Sequence, residues 1–292
     1  MSQDIHLARA EALIEALPYI QQYRGKTVVI KYGGSAMEDE HAVERMLRDV
    51  VFLEAVGINP VLIHGGGKAI TQKMRKAGLK AEFVNGLRVT DEKSIRIVEE
   101  VLDYEINPKI VAQLIEFGGK AVGISGRSVI KAKKLPPQSE GTGVATDLGF
   151  VGEAVGLNLK EVKQALARET VPVISPIGQD ENEVPLNVNA DIGAGAIAGA
   201  LQAAKLIYLS DVLGIMRDPR EKDSLIPSVT SGMIETLIKD EVIEGGMIPK
   251  VRSAVKALNE GVGKVHFIDG HIAHSLLLEI FTNSGIGTEI TK

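Results

Sequence analysis

Apolar positions in this chain fall into two textures. Residues 4–24 place Leu7, Ala10, Leu13, Ile14, Leu17 and Ile20 at helical spacing, which predicts an N-terminal helix bent at Pro18. That helix precedes the first strand, so it reads as an arm. From Thr27 onward, short β-branched runs alternate with longer helical patterns: TVVIKY, a helix near 40–56, NPVLIHGGG, a helix near 68–77, a helix near 91–116, and KAVGIS. The rhythm predicts an α/β fold, with an open, mainly parallel central sheet sandwiched by helices and an N-terminal helical arm outside it. From Lys131 to Glu153 the texture turns Gly-, Pro- and Thr-rich, which predicts a β-hairpin excursion. After Leu159 the rhythm resumes with TVPVISPI, an Ala/Gly-rich helix near 191–204, KLIYLSDV, helices near 230–240 and 249–260, and KVHFIDG. Two α/β lobes sharing one sheet are expected, joined near 175–185, with no repeat or low-complexity segment.

Composition removes several function classes. The 292 residues, 45% of them hydrophobic, suffice for a sizeable core, and the absence of Cys excludes disulfides, thiolate metal sites and thiol redox chemistry. A reducing cytosol suits such a chain. Asp4, Glu11 and Glu15 interrupt the N-terminal apolar pattern where a secretory signal would be uncharged, and no run approaches the ~18 apolar residues of a membrane span. A soluble, unprocessed, cytoplasmic protein is expected. A net charge of -5 with interspersed signs, and only 4% aromatic residues, argue against nucleic acid as a partner. Any phosphate is then held locally, by a few residues.

Glycine-rich turns between a strand and a helix aim backbone N–H groups and a helix dipole at an anion, and three occur here: KYGGS (31–35), HGGGK (64–68) and EGGMIPK (244–250). In an open α/β sheet such turns gather at the carboxyl ends of the strands. RGKT at 24–27 lacks the upstream glycine of a Walker A loop and leads into a strand. GAGAIA at 193–198 satisfies a loose dinucleotide fingerprint, but the preceding EVPLNVNAD reads as a polar loop and Asp191 would repel a pyrophosphate. A lysine at a strand end is usually a solvated charge. Lys31 has company, however, because Lys250 opens a helix after GGMIP, where a cation opposes the helix dipole unless an anion visits. Two such lysines suit a phosphoryl group in transfer, which needs positioning and charge neutralisation more than covalent chemistry. Asp191 can orient both ammonium groups or simply cap its helix, and Asp211 in LSDV can hold a nucleotide or its magnesium. Arg88 in NGLRVT and Asn187 in PLNVNAD read as loop residues that either bind a substrate carboxylate and amide or cap local backbone. HFIDGHIAHS gathers His266, Asp269, His271 and His274, yet without HExxH spacing it reads as strand and turn, and no metal site is expected.

Taken in order, VIKYGGSA, VLIHGGGKAI, FVNGLRVT, NVNAD, LSDVLGI and GGMIPKV resemble the amino-acid kinase superfamily, and within it the N-acetylglutamate kinase branch, from about Thr27 to the C-terminus. The resemblance implies an N-acetyl-L-glutamate-binding lobe (26–180), an ATP-binding lobe (181–292), and in-line transfer from ATP, with Mg2+ bound mainly through the nucleotide phosphates. It implies that Lys31 and Lys250 stabilise the transferring group and Asp191 organises them. Gly66, Gly67, Arg88 and Asn187 would bind the acyl amino acid, Gly33 and Gly34 would donate N–H groups to phosphate, and Asp211 would serve the nucleotide. Residues 1–25 resemble the kinked helix that joins dimers of arginine-inhibited members into a hexamer. The tail LLLEIFTNSGIGTEI resembles their effector site, with Glu279, Gly285 and Gly287 on L-arginine alongside Lys205 and His266. The alternatives are a kinase of another carboxylate, a carbamate or a nucleotide, and a non-catalytic arginine-sensing protein.

Overall fold

Along the chain, a computed structural model describes residues 2–139, 143 and 145–292. Helix α1 (Ser2–Tyr23) runs through Pro18 into β1 (Thr27–Tyr32), then α2 (Glu40–Ala55), β2 (Asn59–His64) and α3 (Gly67–Lys76). A small hairpin follows, β3 (Phe83–Val84) and β4 (Leu87–Arg88), turned by Asn85 and Gly86, both at positive φ as a two-residue primed turn demands. Next come α4 (Glu92–Glu99), α5 (Asn107–Glu116), β5 (Ala121–Ile124), α6 (Gly126–Val129), β6 (Ile130–Lys134) and β7 (Val151–Leu157). The chain continues through α7 (Lys160–Ala167), β8 (Val171–Ile174), β9 (Ile177–Gln179), β10 (Pro185–Val188), α8 (Ala190–Ala200) and β11 (Lys205–Ser210). It closes with β12 (Ser228–Thr230), α9 (Ile234–Lys239), α10 (Met247–Asn259), β13 (Lys264–Asp269), α11 (Ser275–Ile280) and β14 (Thr288–Thr291).

The eight-stranded sheet has the order β12-β14-β13-β11-β1-β2-β8-β5. Its six strands from β13 to β5 are mutually parallel, and β14 with β12 runs against them. Strands β1, β2, β8, β11 and β13 are almost wholly buried, which explains their continuous β-branched runs. One open sheet shared by both halves, as the alternation predicts, is therefore present. No helix among the described residues is long and apolar enough to cross a membrane.

One expectation is met and extended, since β6 and β7 pair antiparallel as the expected hairpin, and two need correction. The hairpin of residues 131–153 is part of a closed four-stranded barrel, β10-β7-β6-β9, because TVPVISPI splits at Ser175–Pro176 and its second half leaves the sheet. Residues 140–142 and 144 of that excursion lie outside the described residues. The helix near 91–116 is interrupted by a π-helical segment, Glu100–Ile106, whose wider turn sets Leu102 and Ile106 beneath Gly66 and lets Asp103 accept hydrogen bonds from Ser125 Oγ at 2.6 Å and from Ser175 Oγ. The Ala/Gly-rich helix ends at Ala200, and its GAGAIA is a packing surface. A Cβ on Gly195 or Gly199 would sit 2.5 Å from Ser253 Oγ or Glu260 Oε2, so the glycines let α8 cross close to the α10 segment.

At the end of β2, His64 is fully buried. Its Nδ1–H donates to the Gly65 carbonyl at 2.9 Å and its Nε2 accepts from Asn107 Nδ2 at 3.3 Å, a pattern that a neutral ring satisfies. Burial pushes the imidazole down to about 4, against smaller upward pulls from Gly65 and Asp103. The unfolded chain then binds the extra proton first. The stabilisation is full above about pH 6.5 and disappears as pH falls through about 4, a swing of about 3 kcal/mol. Denaturant titrations should show wild type losing more stability between pH 7 and pH 4 than His64→Gln does; equal losses would remove His64 from the acid response.

Candidate active site

The register of β1 puts Lys31 between Ile63 of β2 and Tyr208 of β11, with strands bonded on both sides. Its side chain is 10% exposed, and its Nζ lies 2.8 Å from Asp191 Oδ1. The approach is oblique, so that oxygen has a charge partner but no aligned donor. Asp191 is fixed from three directions. Asn189 caps α8, its side chain accepting the N–H groups of Asp191 and Ile192, and Tyr208 Oη and Ser253 Oγ both donate to the Asp191 carbonyl. The cap is thus Asn189, and Asp191 is a first-turn carboxylate favoured by the helix dipole. The sequence signal for that cap was the Asn that opens the Asn189-Ala190-Asp191 tripeptide.

A cavity of about 210 Å³ opens in front of this pair. Lys31, Gly33, Gly34, Gly66, Gly67, Arg88, Asn187 and Asp191 all line it, so eight of the predicted residues meet at one place. Arg88 and Asn187 lie in the short strands β4 and β10 instead of loops, which fixes their directions more firmly. Arg88 is buried over the Phe83 ring, 4.7 Å from its centroid, and donates to Gly67 O at 2.7 Å and Thr71 Oγ1 at 2.8 Å. Burial lowers its pKa, and part of its five-donor fork remains for a ligand. Asn187 Nδ2 donates to Thr90 Oγ1 at 3.2 Å.

The first glycine turn is held from the β11 side. Gly34 has φ 79°, and a Cβ there would collide with the Asp211 carboxylate, which accepts Ser35 N–H at 2.8 Å. Burial raises the Asp211 pKa, but Ser35's hydroxyl and N–H, with the charges of His271 and Lys250, outweigh it and hold the group below its ordinary value. Lys250 lies in the first turn of α10, half-buried. Its charge reaches Asp211, while among the described residues it has no ion pair with Asp191. Ser35 escaped the sequence reading, although a serine directly after a double glycine was visible.

The remaining predicted residues cluster at the opposite end of β11. Lys205 Nζ donates to His266 Nε2 at 2.9 Å, and His266 Nδ1 donates to Glu279 Oε1 at 2.6 Å. The other Glu279 oxygen accepts the N–H groups of Ile286 and Gly287, and Gly285 at φ 60° lies against the same carboxylate. Burial pushes Lys205 down to about 8, against pulls from Glu279 and Glu289, and burial likewise lowers His266. Burial raises Glu279, but His266 and the two N–H groups reverse it. Tyr23, the last residue of α1, places its ring 5.3 Å from Lys205 Nζ. The histidines of HFIDGHIAHS therefore part company: His266 enters this cluster, His271 meets Ser35, and His274 pairs with Asp49 at 2.6 Å.

The sequence profile of the amino acid kinase family matches residues 26–269. The acetylglutamate kinase of Methanocaldococcus jannaschii is 51% identical over 291 residues, covering 98% of this chain and 97% of that protein. That of Akkermansia muciniphila is 50% identical over 287 residues, covering 98% and 96%. Among solved structures, the N-acetylglutamate synthase of Neisseria gonorrhoeae, complexed with coenzyme A and N-acetyl-glutamate, superimposes with a TM-score of 0.84 at 27% identity. The match covers 97% of this chain and 63% of that one. Carbamate kinase from Giardia lamblia, bound to AMP-PNP, shares the fold with a TM-score of 0.64 at 20% identity, covering 92% of this chain and 99% of that one. With its parallel sheet, its paired glycine turns and near full-length relatives, the chain belongs to the amino acid kinase family.

Proposed function

We propose that this chain transfers the γ-phosphoryl group of ATP to the side-chain carboxylate of N-acetyl-L-glutamate, giving N-acetyl-L-glutamyl 5-phosphate and ADP. Relatives of about 50% identity over nearly the whole chain carry the name acetylglutamate kinase. The observation that carries the reading is the buried Lys31–Asp191 pair, facing a small cavity that two glycine turns, Arg88 and Asn187 also line.

The acceptor carboxylate is already ionised at neutral pH, so the reaction needs no general base. What it needs is a way to bring two anions together. Lys31 and Lys250 supply the neutralising charge, Asp191 orients Lys31, and the N–H groups of Gly33 and Gly34 receive the phosphoryl oxygens. Arg88 and Asn187, beside Gly66 and Gly67, hold the acyl amino acid. Residues 26–180 form its lobe and 181–292 the ATP lobe. Magnesium would arrive on the nucleotide phosphates, and Asp211, which accepts the N–H of Ser35 beside the first glycine turn, is the carboxylate assigned to serve the nucleotide.

The finer reading is a cytoplasmic enzyme of arginine biosynthesis, inhibited by L-arginine at the Lys205–His266–Glu279 cluster and its Gly285–Gly287 turn. Arm residues 1–25 then join a hexamer as a trimer of dimers. Leu7, Leu13 and Ile14 on the arm are 60%, 66% and 68% exposed, an apolar stripe suited to a second copy.

Lys250→Ala should lower kcat by about 10²-fold or more with the KM values much less changed, in a coupled assay of ADP release, because its charge is needed chiefly in the transition state. Unaltered turnover would remove it from the mechanism. Arg88→Ala should raise the KM for N-acetyl-L-glutamate more than that for ATP, and the reverse would move Arg88 to the nucleotide side. With arginine titrated into the same assay, Glu279→Gln should raise the half-inhibiting concentration at least about tenfold, since a buried guanidinium loses its carboxylate. Wild-type indifference to arginine would end the effector reading.

A further inference from the structure

Asp269, His271 and Ser35 form a continuous hydrogen-bonded chain that none of the proposed roles above uses. The His271 ring nitrogen Nδ1 and its backbone N both lie on Asp269 Oδ1, at 2.9 Å and 2.8 Å. The carboxylate thereby fixes the ring and keeps the proton on Nδ1. The other nitrogen, Nε2, is 3.2 Å from Ser35 Oγ, which belongs to a segment 236 residues away. Ser35 is the residue that closes the first glycine turn, and its own N–H is already given to Asp211. The turn is therefore gripped twice. Asp211, just beyond β11, accepts its backbone N–H and lies beside its hydroxyl, and His271, beyond β13, reaches past β11 to the same hydroxyl. The loop that carries His271 is itself seated there, with Gly270 N–H donating to Ser210 O at 2.9 Å and Gly270 lying against Ala36.

We propose that His271, oriented by Asp269, is a positioning residue for phosphoryl transfer: by holding Ser35 it keeps the Gly33–Gly34 turn in the conformation that receives the γ-phosphoryl group. The inference rests on the kinase reading above. Gly34 adopts φ 79°, a region with little intrinsic preference to hold it in one place, so an external clamp is what makes its N–H direction fixed. The same residue types make the nucleophile triad of hydrolases. Here the acceptor carboxylate is the nucleophile, and the serine serves the turn.

The test uses the full chain with ATP, magnesium and N-acetyl-L-glutamate, and compares wild type with His271→Ala, His271→Gln, Ser35→Ala and the His271→Ala/Ser35→Ala pair. His271→Ala should lower kcat about tenfold and raise the KM for ATP, leaving the KM for N-acetyl-L-glutamate within about twofold. His271→Gln, whose amide oxygen can accept from Ser35 Oγ as Nε2 does, should recover most of the loss. The double variant should be no worse than the poorer single one, because both break the same chain. Wild-type kinetics in His271→Ala, KM values that rise together, or losses that multiply in the double variant would each overturn the proposal. Ser35→Ala, at an exposed side chain, carries the kinetic comparison if His271→Ala does not fold. A wild type that ignores N-acetyl-L-glutamate would strike the kinase reading, and nucleotide calorimetry would then decide the positioning role separately. His271→Ala should bind magnesium AMP-PNP about fivefold more weakly than wild type, and magnesium ADP equally well. Equal AMP-PNP affinities would overturn it.

Discussion

A carboxylate and a triphosphate repel each other, and the centre of this molecule is organised around that repulsion. Burying an uncompensated ammonium costs several kcal/mol, so a lysine can wait at a buried position only with a counter-charge beside it. Asp191 provides it at 2.8 Å, and both side chains are nearly sealed. The pair is anchored by two unrelated devices. Lys31 is clamped by its place in a strand bonded on both sides, and Asp191 by the N-terminal turn of a helix capped by Asn189. In-register neighbours do double duty, because Tyr208, opposite Lys31, also donates to the Asp191 carbonyl. The oblique approach of the ammonium leaves the pair able to realign when a third charged group enters.

Sheet order explains why the glycine turns converge there. The chain runs outward from β1 to β2 and β8 on one side, and from β11 to β13 on the other. The crevice where strand order reverses is where an α/β sheet binds ligands, and here it lies beyond Tyr32. The turn after β1 is consequently flanked by groups from both halves: the second glycine turn and Arg88 from one, Asp211 and His271 from the other. A movement of one half against the other must pass through that turn. On the proposed two-lobe reading, closure and phosphate contact would share the same few backbone atoms.

What was legible in the sequence was local chemistry. Lys31 after a β-branched run and before two glycines, and Lys250 opening a helix, were conspicuous because each violates a local preference. The α/β alternation was equally clear, since buried parallel strands leave unbroken apolar runs. The barrel was not, because strands such as β6, Ile130–Lys134, alternate buried and exposed residues like any hairpin, and closure depends on β9 and β10 arriving from some 45 residues further on. Periodicity could not reveal the π-helical segment at Glu100–Ile106, whose change of hydrogen-bond register leaves the apolar spacing nearly intact. Arg88 and Asn187 looked like loop residues because two- and four-residue strands carry too few positions to show a period. Ser35 and His271 had no signal as a pair, since nothing local links residues 236 apart.

One strand joins the two charged centres of the molecule. His266 belongs to the Lys205–Glu279 cluster, and Asp269, three residues on along β13, begins the chain to Ser35. At about 3.3 Å per residue the separation is roughly 10 Å, short enough for direct mechanical contact. Proximity is not coupling, however, and an element that couples must have two arrangements. Strand β13 is paired on both sides and buried, so it is poorly suited to move. The segment after it is better suited. His274 sits at φ 57°, a left-handed conformation costing a β-carbon-bearing residue about 1–2 kcal/mol, and its partner is the buried Asp49, whose carboxyl burial pushes up to about 6 against the pull of His274. From His274 the chain enters α11, which carries Glu279 back to the cluster. The loop between Asp269 and Ser275 therefore begins at the chain to Ser35 and ends on a strained residue with a titratable partner, just before the helix that carries Glu279. Any coupling between a ligand at the cluster and the Gly33–Gly34 turn must therefore be sought in this loop before the sheet, because the loop carries the strain and the sheet does not.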